Sequence, residues 1–104
     1  MQGFQITFYT RQDRQHGSTP LAQWLLEQAR ALAIGGATLN GAVEGLGHDG
    51  HFHAITLFDM AEQPVQVIMI VSAEERQRLF QRLQQEQVRV FYVEQAVTYG
   101  MFGA

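Results

Sequence analysis

The run Val65-Gln66-Val67-Ile68-Met69-Ile70-Val71 constrains the fold of this chain more than any other segment. Only Gln66 interrupts it, so a strand made of these residues needs cover on both faces. Ala61-Glu62-Gln63-Pro64 closes the excursion ahead of it, since proline cannot donate within a central ladder. Directly after the run, Ser72-Ala73-Glu74-Glu75 is a capping box: the serine satisfies a first-turn amide and Glu75 reaches back. The helix it opens carries an apolar stripe of Leu79, Phe80 and Leu83, with Glu74 and Arg78 spaced i,i+4 on the surface.

The flanking segments supply the remaining layers. Gln2 to Thr10 alternates, with Phe4, Ile6 and Phe8 on one face and Gln5, Thr7 and Tyr9 on the other, the period of a strand. Arg11 to Gly17 is polar and reads as a loop. Ser18-Thr19-Pro20 reads as a helix start, a hydroxyl capping free amides and proline at the first helical position. Leu21, Trp24, Leu25, Gln28, Ala29 and Leu32 then form a mostly apolar stripe, while Gln23, Glu27 and Arg30 face water. Gly35-Gly36 is expected to stop this helix, one glycine taking the left-handed conformation.

Ala37 to Glu44 reads as a second strand containing Thr38, Leu39 and Val43, with Gly41 marking a bulge or a close backbone approach. Phe52 to Met60 reads as a strand or an ordered flap, and Val88 to Thr98 as the last strand. Tyr99 to Ala104 is apolar and glycine-rich, mobile unless it docks. The order strand, helix, strand, long loop, strand, helix, strand predicts an α+β fold. The expected form is a ferredoxin-like βαββαβ sandwich, a four-stranded antiparallel sheet with two helices on one face. Two short helices leave the other sheet face over. An apolar face of that size is an association site, so a homo-oligomer with its sheets facing inward is expected.

At 104 residues the chain is expected to be one domain spanning 1–104. It has no cysteine, which removes disulfide scaffolds and thiolate metal sites and fits a reducing cytosol. No secretory signal pattern opens the chain, and its longest apolar run is too short to span a bilayer, so a cytoplasmic protein without membrane insertion is expected. The net charge is −3, and all seven basic residues are arginines. Glutamates interleave with those of the C-terminal third, leaving no unopposed basic face for nucleic acid.

Chemistry concentrates in Gly45-Leu46-Gly47-His48-Asp49-Gly50-His51-Phe52-His53. Its glycines match G-x-G-x-x-G, but a dinucleotide fold needs a helix next, and Phe52 to Phe58 looks extended, favouring a turn or ligand loop. His48, His51 and His53 invite a divalent metal. In an extended chain His51 and His53 point to one side, with a third ligand from His48, His16 or a threefold axis. The alternative is a polar flap whose histidines sit in water. Catalysis has little support: Ser18 and Ser72 are assigned to helix caps, and Glu74 and Glu75 sit in a first helical turn that favours them ionised.

Val43 to His51 resembles the end of the second strand and the base of the T-loop in the nitrogen-regulatory PII signalling proteins, in the order of its glycines and its Gly-His. Pro20-Leu21 through Gly36-Ala37-Thr38 and on to Val93 is similar to the shorter PII-like group known as domain-of-unknown-function family 190. The resemblance implies a homotrimer, sheets inward, binding adenine nucleotides in inter-subunit clefts and a partner protein, a membrane transporter among the candidates, through a T-loop-like excursion over about 47–64. By position it implies ligand-binding roles for Thr38, Gly45, Leu46, Gly47 and Arg89, the last as counterpart of a phosphate-binding lysine. The chain departs from PII proteins in having Gln84 to Val88 in place of a glycine-rich turn, and Gln95, Thr98 and Gly100 in place of later arginines. A signal-transduction protein with a small-molecule effector is therefore the leading expectation. The alternatives are a histidine-based metal-binding or metal-sensing protein resembling CutA, and a small enzyme.

Overall fold

In the computed structural model, which describes residues 1–41, 44–46, 52–54 and 63–103, the alternating N-terminal segment forms β1, Gln2–Arg11. Two residue pairs, β2 (Gln15–His16) and β3 (Thr19–Pro20), form a small hairpin. Its turn is Gly17-Ser18, with Gly17 at φ 64°, a conformation that glycine takes without steric cost. This corrects two expectations. Residues 11–17 are not all loop, and Ser18 caps nothing: the N-cap position is Pro20, with no side-chain cap bond. The first helical amide, that of Leu21, donates instead to the Arg14 carbonyl at 2.8 Å.

Helix α1 (Leu21–Ala31) buries Leu21, Ala22, Trp24, Leu25, Gln28 and Ala29, the stripe that its period predicts. Strands β4 (Ala37–Gly41), β5 (Glu44–Leu46), β6 (Phe52–Ala54) and β7 (Pro64–Val71) follow. Helix α2 (Ala73–Gln85) opens with both bonds of the predicted capping box: Glu75 N donates to Ser72 Oγ at 3.1 Å, and Ser72 N donates to Glu75 Oε1 at 2.8 Å. Arg78 reaches the Leu32 carbonyl at 3.4 Å rather than pairing with Glu74. The last strand, β8, is Phe91–Thr98, so Val88 to Val90 belong to the connection rather than to the strand.

Both helices end without glycine. Ala33 (φ 58°) and Gln87 (φ 54°) occupy the left-handed position. After α1, Ala33 N donates to Arg30 O and Ile34 N to Ala29 O; after α2, Gln87 N donates to Gln84 O and Val88 N to Leu83 O. These are Schellman closures. The expectation that Gly35 or Gly36 would take this role is corrected, because the left-handed residue comes two positions before Gly35.

The main sheet has the order β4-β7-β1-β8, every neighbouring pair antiparallel. With α1 and α2 on one face, this is the α+β ferredoxin-like arrangement expected. Register assigns the faces. Ile6 and Phe8 stand opposite Met69 and Val67 under the helices, and all four are fully buried. Burying such side chains contributes about 1.5–3 kcal/mol each. Leu79 and Leu83 of α2 complete the core, and Arg82 Nε donates to the buried Gln28 Oε1 at 3.0 Å, tying the two helices together.

The other face carries Thr7 and Tyr9 of β1, Ile68 and Ile70 of β7, Phe91, Val93 and Val97 of β8, and Thr38 of β4. Here β7 is only half-buried, so its alternation is covered on one side and open on the other. At the far end Gly3 lies against the Val71 carbonyl, where a Cβ would collide. The Met1 ammonium donates to Tyr99 O and Tyr99 N to Met1 O, both at 2.8 Å, extending the β1–β8 ladder. Met101 and Phe102 beyond it are exposed.

Candidate functional site

Antiparallel pairing brings the ends of four strands together. Arg11 at the end of β1, Pro64 at the start of β7, Gly41 at the end of β4 and Phe91 at the start of β8 lie at one end of the sheet. The 47–64 excursion leaves from this end. Gly41 lies against the tip of the Gln63 side chain, a flexible group that could move aside for a Cβ, rather than against backbone. Gln12 N, in the turn after β1, donates to Gln63 O at 2.9 Å and fixes the base of the excursion from the other side.

Gly45 and Leu46 lie in β5, paired with His53 and Phe52 of β6, so the glycine motif opens a ribbon, not a helix. That geometry removes the dinucleotide reading, which requires helical amides aimed at a pyrophosphate. Gly47, His48 and His51 lie outside the described residues, and His53 is described by its backbone alone. Among the described residues no group of three or more histidine or carboxylate side chains is placed to hold a metal ion. His16, offered as a third ligand, makes a tilted ring contact with Trp24, centroids 4.4 Å apart.

Thr38 is exposed on β4, opposite Ile68 on the open sheet face. Arg89 is exposed in the connection that feeds β8. These two candidates belong to opposite edges of the sheet, which lie three strand spacings or about 14 Å apart, and Arg89 is further offset along the strands, four residues ahead of Val93. One chain does not bring them together.

Two arginines escaped the sequence reading. Arg14 Nη2 donates to the Arg89 carbonyl, a contact across 75 positions that no local pattern could announce. Arg76 binds Glu94 through two nitrogens, Nε to Oε2 at 2.6 Å and Nη2 to Oε1 at 2.8 Å, and lies over the rings of Phe80 and Phe4 at 4.3 and 5.4 Å. The hydrogen bond from Arg76 is the main cause holding the Glu94 carboxyl below its ordinary value, against the opposing effect of burial. This pair braces α2 on β8. The alternation of β8 could have placed Glu94 on the helix side, but not its partner. A shallow hollow of about 520 Å3, lined by residues including Gly3, Phe4, Ala73 and Val97, lies at the opposite end of the sheet.

The chain matches family 190 of the domains of unknown function, DUF190, "Uncharacterized ACR", over residues 3–98. It belongs to the DUF190 family. Solved structures place this DUF190 chain in the PII-like superfamily. It is similar to a protein from Thermus thermophilus described as a PII-like signalling protein, with 25% identity, a TM-score of 0.68, and 93% of this chain and 88% of that one covered. It shares its fold with CPII from Thiomonas intermedia, a nitrogen regulatory PII-like protein, bound to ADP, AMP and bicarbonate (17% identity, TM-score 0.66, 97% and 91% covered). The same holds for CPII bound to ADP and bicarbonate (16%, 0.64, 97% and 91%). No curated protein matches the chain in sequence. No helix among the described residues is long and apolar enough to cross a membrane.

Proposed function

We propose that this DUF190 chain is a PII-like regulatory protein, not an enzyme, that assembles as a homotrimer and binds an adenine nucleotide or a small anion in the clefts between subunits. The carrying observation is the separation of Thr38 and Arg89 on opposite edges of a sheet whose open face exposes the large apolar side chains of Tyr9, Phe91 and Val93 among polar ones. Packing that face against further copies sets the β4 edge of one chain beside the β8 edge of the next. Thr38, Gly45, Leu46 and Gly47 of one subunit then share a cleft with Arg89 of another. The fold shared with CPII, whose structures hold ADP, AMP and bicarbonate, supports that ligand class.

The 47–64 excursion leaves from the cleft, so a ligand seated there is in position to bias its conformation and its grip on a partner protein. Calorimetry with ADP, AMP and bicarbonate, alongside light scattering, tests the reading. Saturable heat and a mass three times 11.8 kDa are expected. A monomer with flat titrations sinks it. A zinc titration of the same sample separates this reading from the histidine one: heat that disappears in the combined His48→Ala, His51→Ala, His53→Ala variant would favour a metal protein.

A further inference from the structure

We propose that Arg14 and Arg89 form a two-arginine clamp for a phosphate-bearing anion, with Arg14 as an anion-binding residue in its own right. The clamp rests on the nucleotide reading only for the source of its phosphate.

The placement of Arg14 is fixed by backbone, not by its side chain. Its N–H donates to Arg11 O at 3.2 Å and its carbonyl accepts from Leu21 N at 2.8 Å, so the residue is held between the end of β1 and the first turn of α1. The β2–β3 hairpin that follows is anchored in turn by His16 on Trp24. From this fixed base the guanidinium reaches the Arg89 carbonyl with one N–H. A guanidinium carries five donors, and among the described residues the other four have no acceptor.

Among the described residues, the carboxylates on the neighbouring elements are engaged elsewhere. Asp13, the adjacent one, is held by Arg11 at 3.2 Å. Glu86 is met by Arg82 at 3.7 Å, and Glu94 by Arg76. Among the described residues no carboxylate pairs with Arg14 or Arg89. A chain of net charge −3 therefore gathers two positive charges at one end of its sheet, where the excursion begins. The contact brings the Arg14 guanidinium to the backbone of Arg89, so a dianion seated at this corner can take charge-assisted contacts from both side chains. Planar guanidinium forks suit phosphate oxygens better than ammonium groups do. Arg89 alone was legible in the sequence, and Arg14 doubles its charge from a segment that reads as loop.

The test is calorimetry on the intact chain in low salt with ADP, sodium pyrophosphate and adenosine, comparing wild type with Arg14→Gln and Arg14→Lys. Melting curves check folding, which neither change should upset because the bonds that hold Arg14 in place are made by its backbone. Expected is a loss of at least about tenfold in affinity for ADP and pyrophosphate in Arg14→Gln, a smaller loss in Arg14→Lys, and no change for adenosine. Unchanged ADP and pyrophosphate affinity in folded Arg14→Gln overturns the clamp and leaves the nucleotide reading standing. An equal loss for adenosine also overturns it, since that is a structural effect. Wild type that takes pyrophosphate but not ADP, with Arg14→Gln weakened, keeps the clamp and removes the nucleotide. Wild type that takes neither overturns both.

Discussion

The two faces of the sheet are made by alternate residues of the same strands, yet they are finished differently. Under the helices, Ile6, Phe8, Val65, Val67, Met69 and Val71 are no more than 1% exposed. On the opposite side Tyr9, Phe91 and Val93 are 40%, 54% and 42% exposed, and Ile68 and Ile70 are only half-buried. The covered face does not need a second copy. The open one carries apolar side chains that a lone subunit leaves in water, so the stability of the subunit resides on one side and the proposed assembly would draw on the other.

That division is broken most severely by a pair of substitutions. Phe8→Ala removes a ring with no exposure and should cost about 3–5 kcal/mol in denaturant unfolding. Val93→Asp, on the open face opposite Thr7, should leave the unfolding of a single subunit within about 1 kcal/mol of wild type while reducing the light-scattering mass to 11.8 kDa. An unchanged mass for Val93→Asp, or a subunit that unfolds as readily as Phe8→Ala, would mean that the two faces do not divide the work in this way.

A smaller effect sharpens the comparison within the covered face. The buried residues of α1 are apolar apart from Gln28; beneath α2 the cover includes Glu94 held by Arg76, with Phe80 and Tyr92 in edge contact at 5.2 Å. Because the folded-state pKa of Glu94 is lowered, its contribution is complete above the ordinary carboxylate value of 4.5 and is lost as pH falls through the lower folded value. The side chains are about 30% exposed, which screens the pair and limits it to about 1 kcal/mol. Glu94→Gln should therefore be less stable than wild type by about that amount at pH 7, with the gap closing in acid. Parallel stability curves from pH 7 to pH 2 would mean that the ion pair contributes nothing.

How far the sequence foretold this molecule depends on how far apart the interacting residues lie. The alternation of β1, the stripe of α1 and the capping box at Ser72 are set by neighbours one to four positions apart, and each was legible. Gly41 was expected in mid-strand as a bulge or close backbone approach, whereas it is the last residue of β4 and meets only the tip of the Gln63 side chain. The β2–β3 hairpin was not legible, since two-residue strands are too short to show a period. Arg14 with Arg89 and Arg76 with Glu94 are 75 and 18 positions apart, joined only by tertiary structure. Of the expected ligand residues, Thr38 and Arg89 lie at opposite edges of the sheet, and the cleft that would join them belongs to the proposed function. The histidines that invited a metal lie largely outside the described residues.

The end of α1 offers the smallest expected effect and the most direct contest between local rule and observed backbone. Gly35-Gly36 is where a glycine rule puts the stop, but Ala33 takes the left-handed turn at φ 58°, closed by Ile34 N donating to Ala29 O at 2.8 Å. Alanine in that conformation carries a steric cost of about 1–2 kcal/mol that glycine avoids, partly offset by the greater freedom glycine has in the unfolded chain. Ala33→Gly should therefore raise stability by up to about 1 kcal/mol even though it adds a glycine. Gly35 has open space around its Cβ position and a φ outside the left-handed region, so Gly35→Ala should raise stability by about 0.4–1 kcal/mol through the unfolded state alone. Opposite substitutions two residues apart thus move the melting midpoint in the same direction. If Ala33→Gly lowers it while Gly35→Ala raises it, helix propensity rather than the Schellman turn governs this end, and the covered face extends further along the chain than the hydrogen bonds indicate.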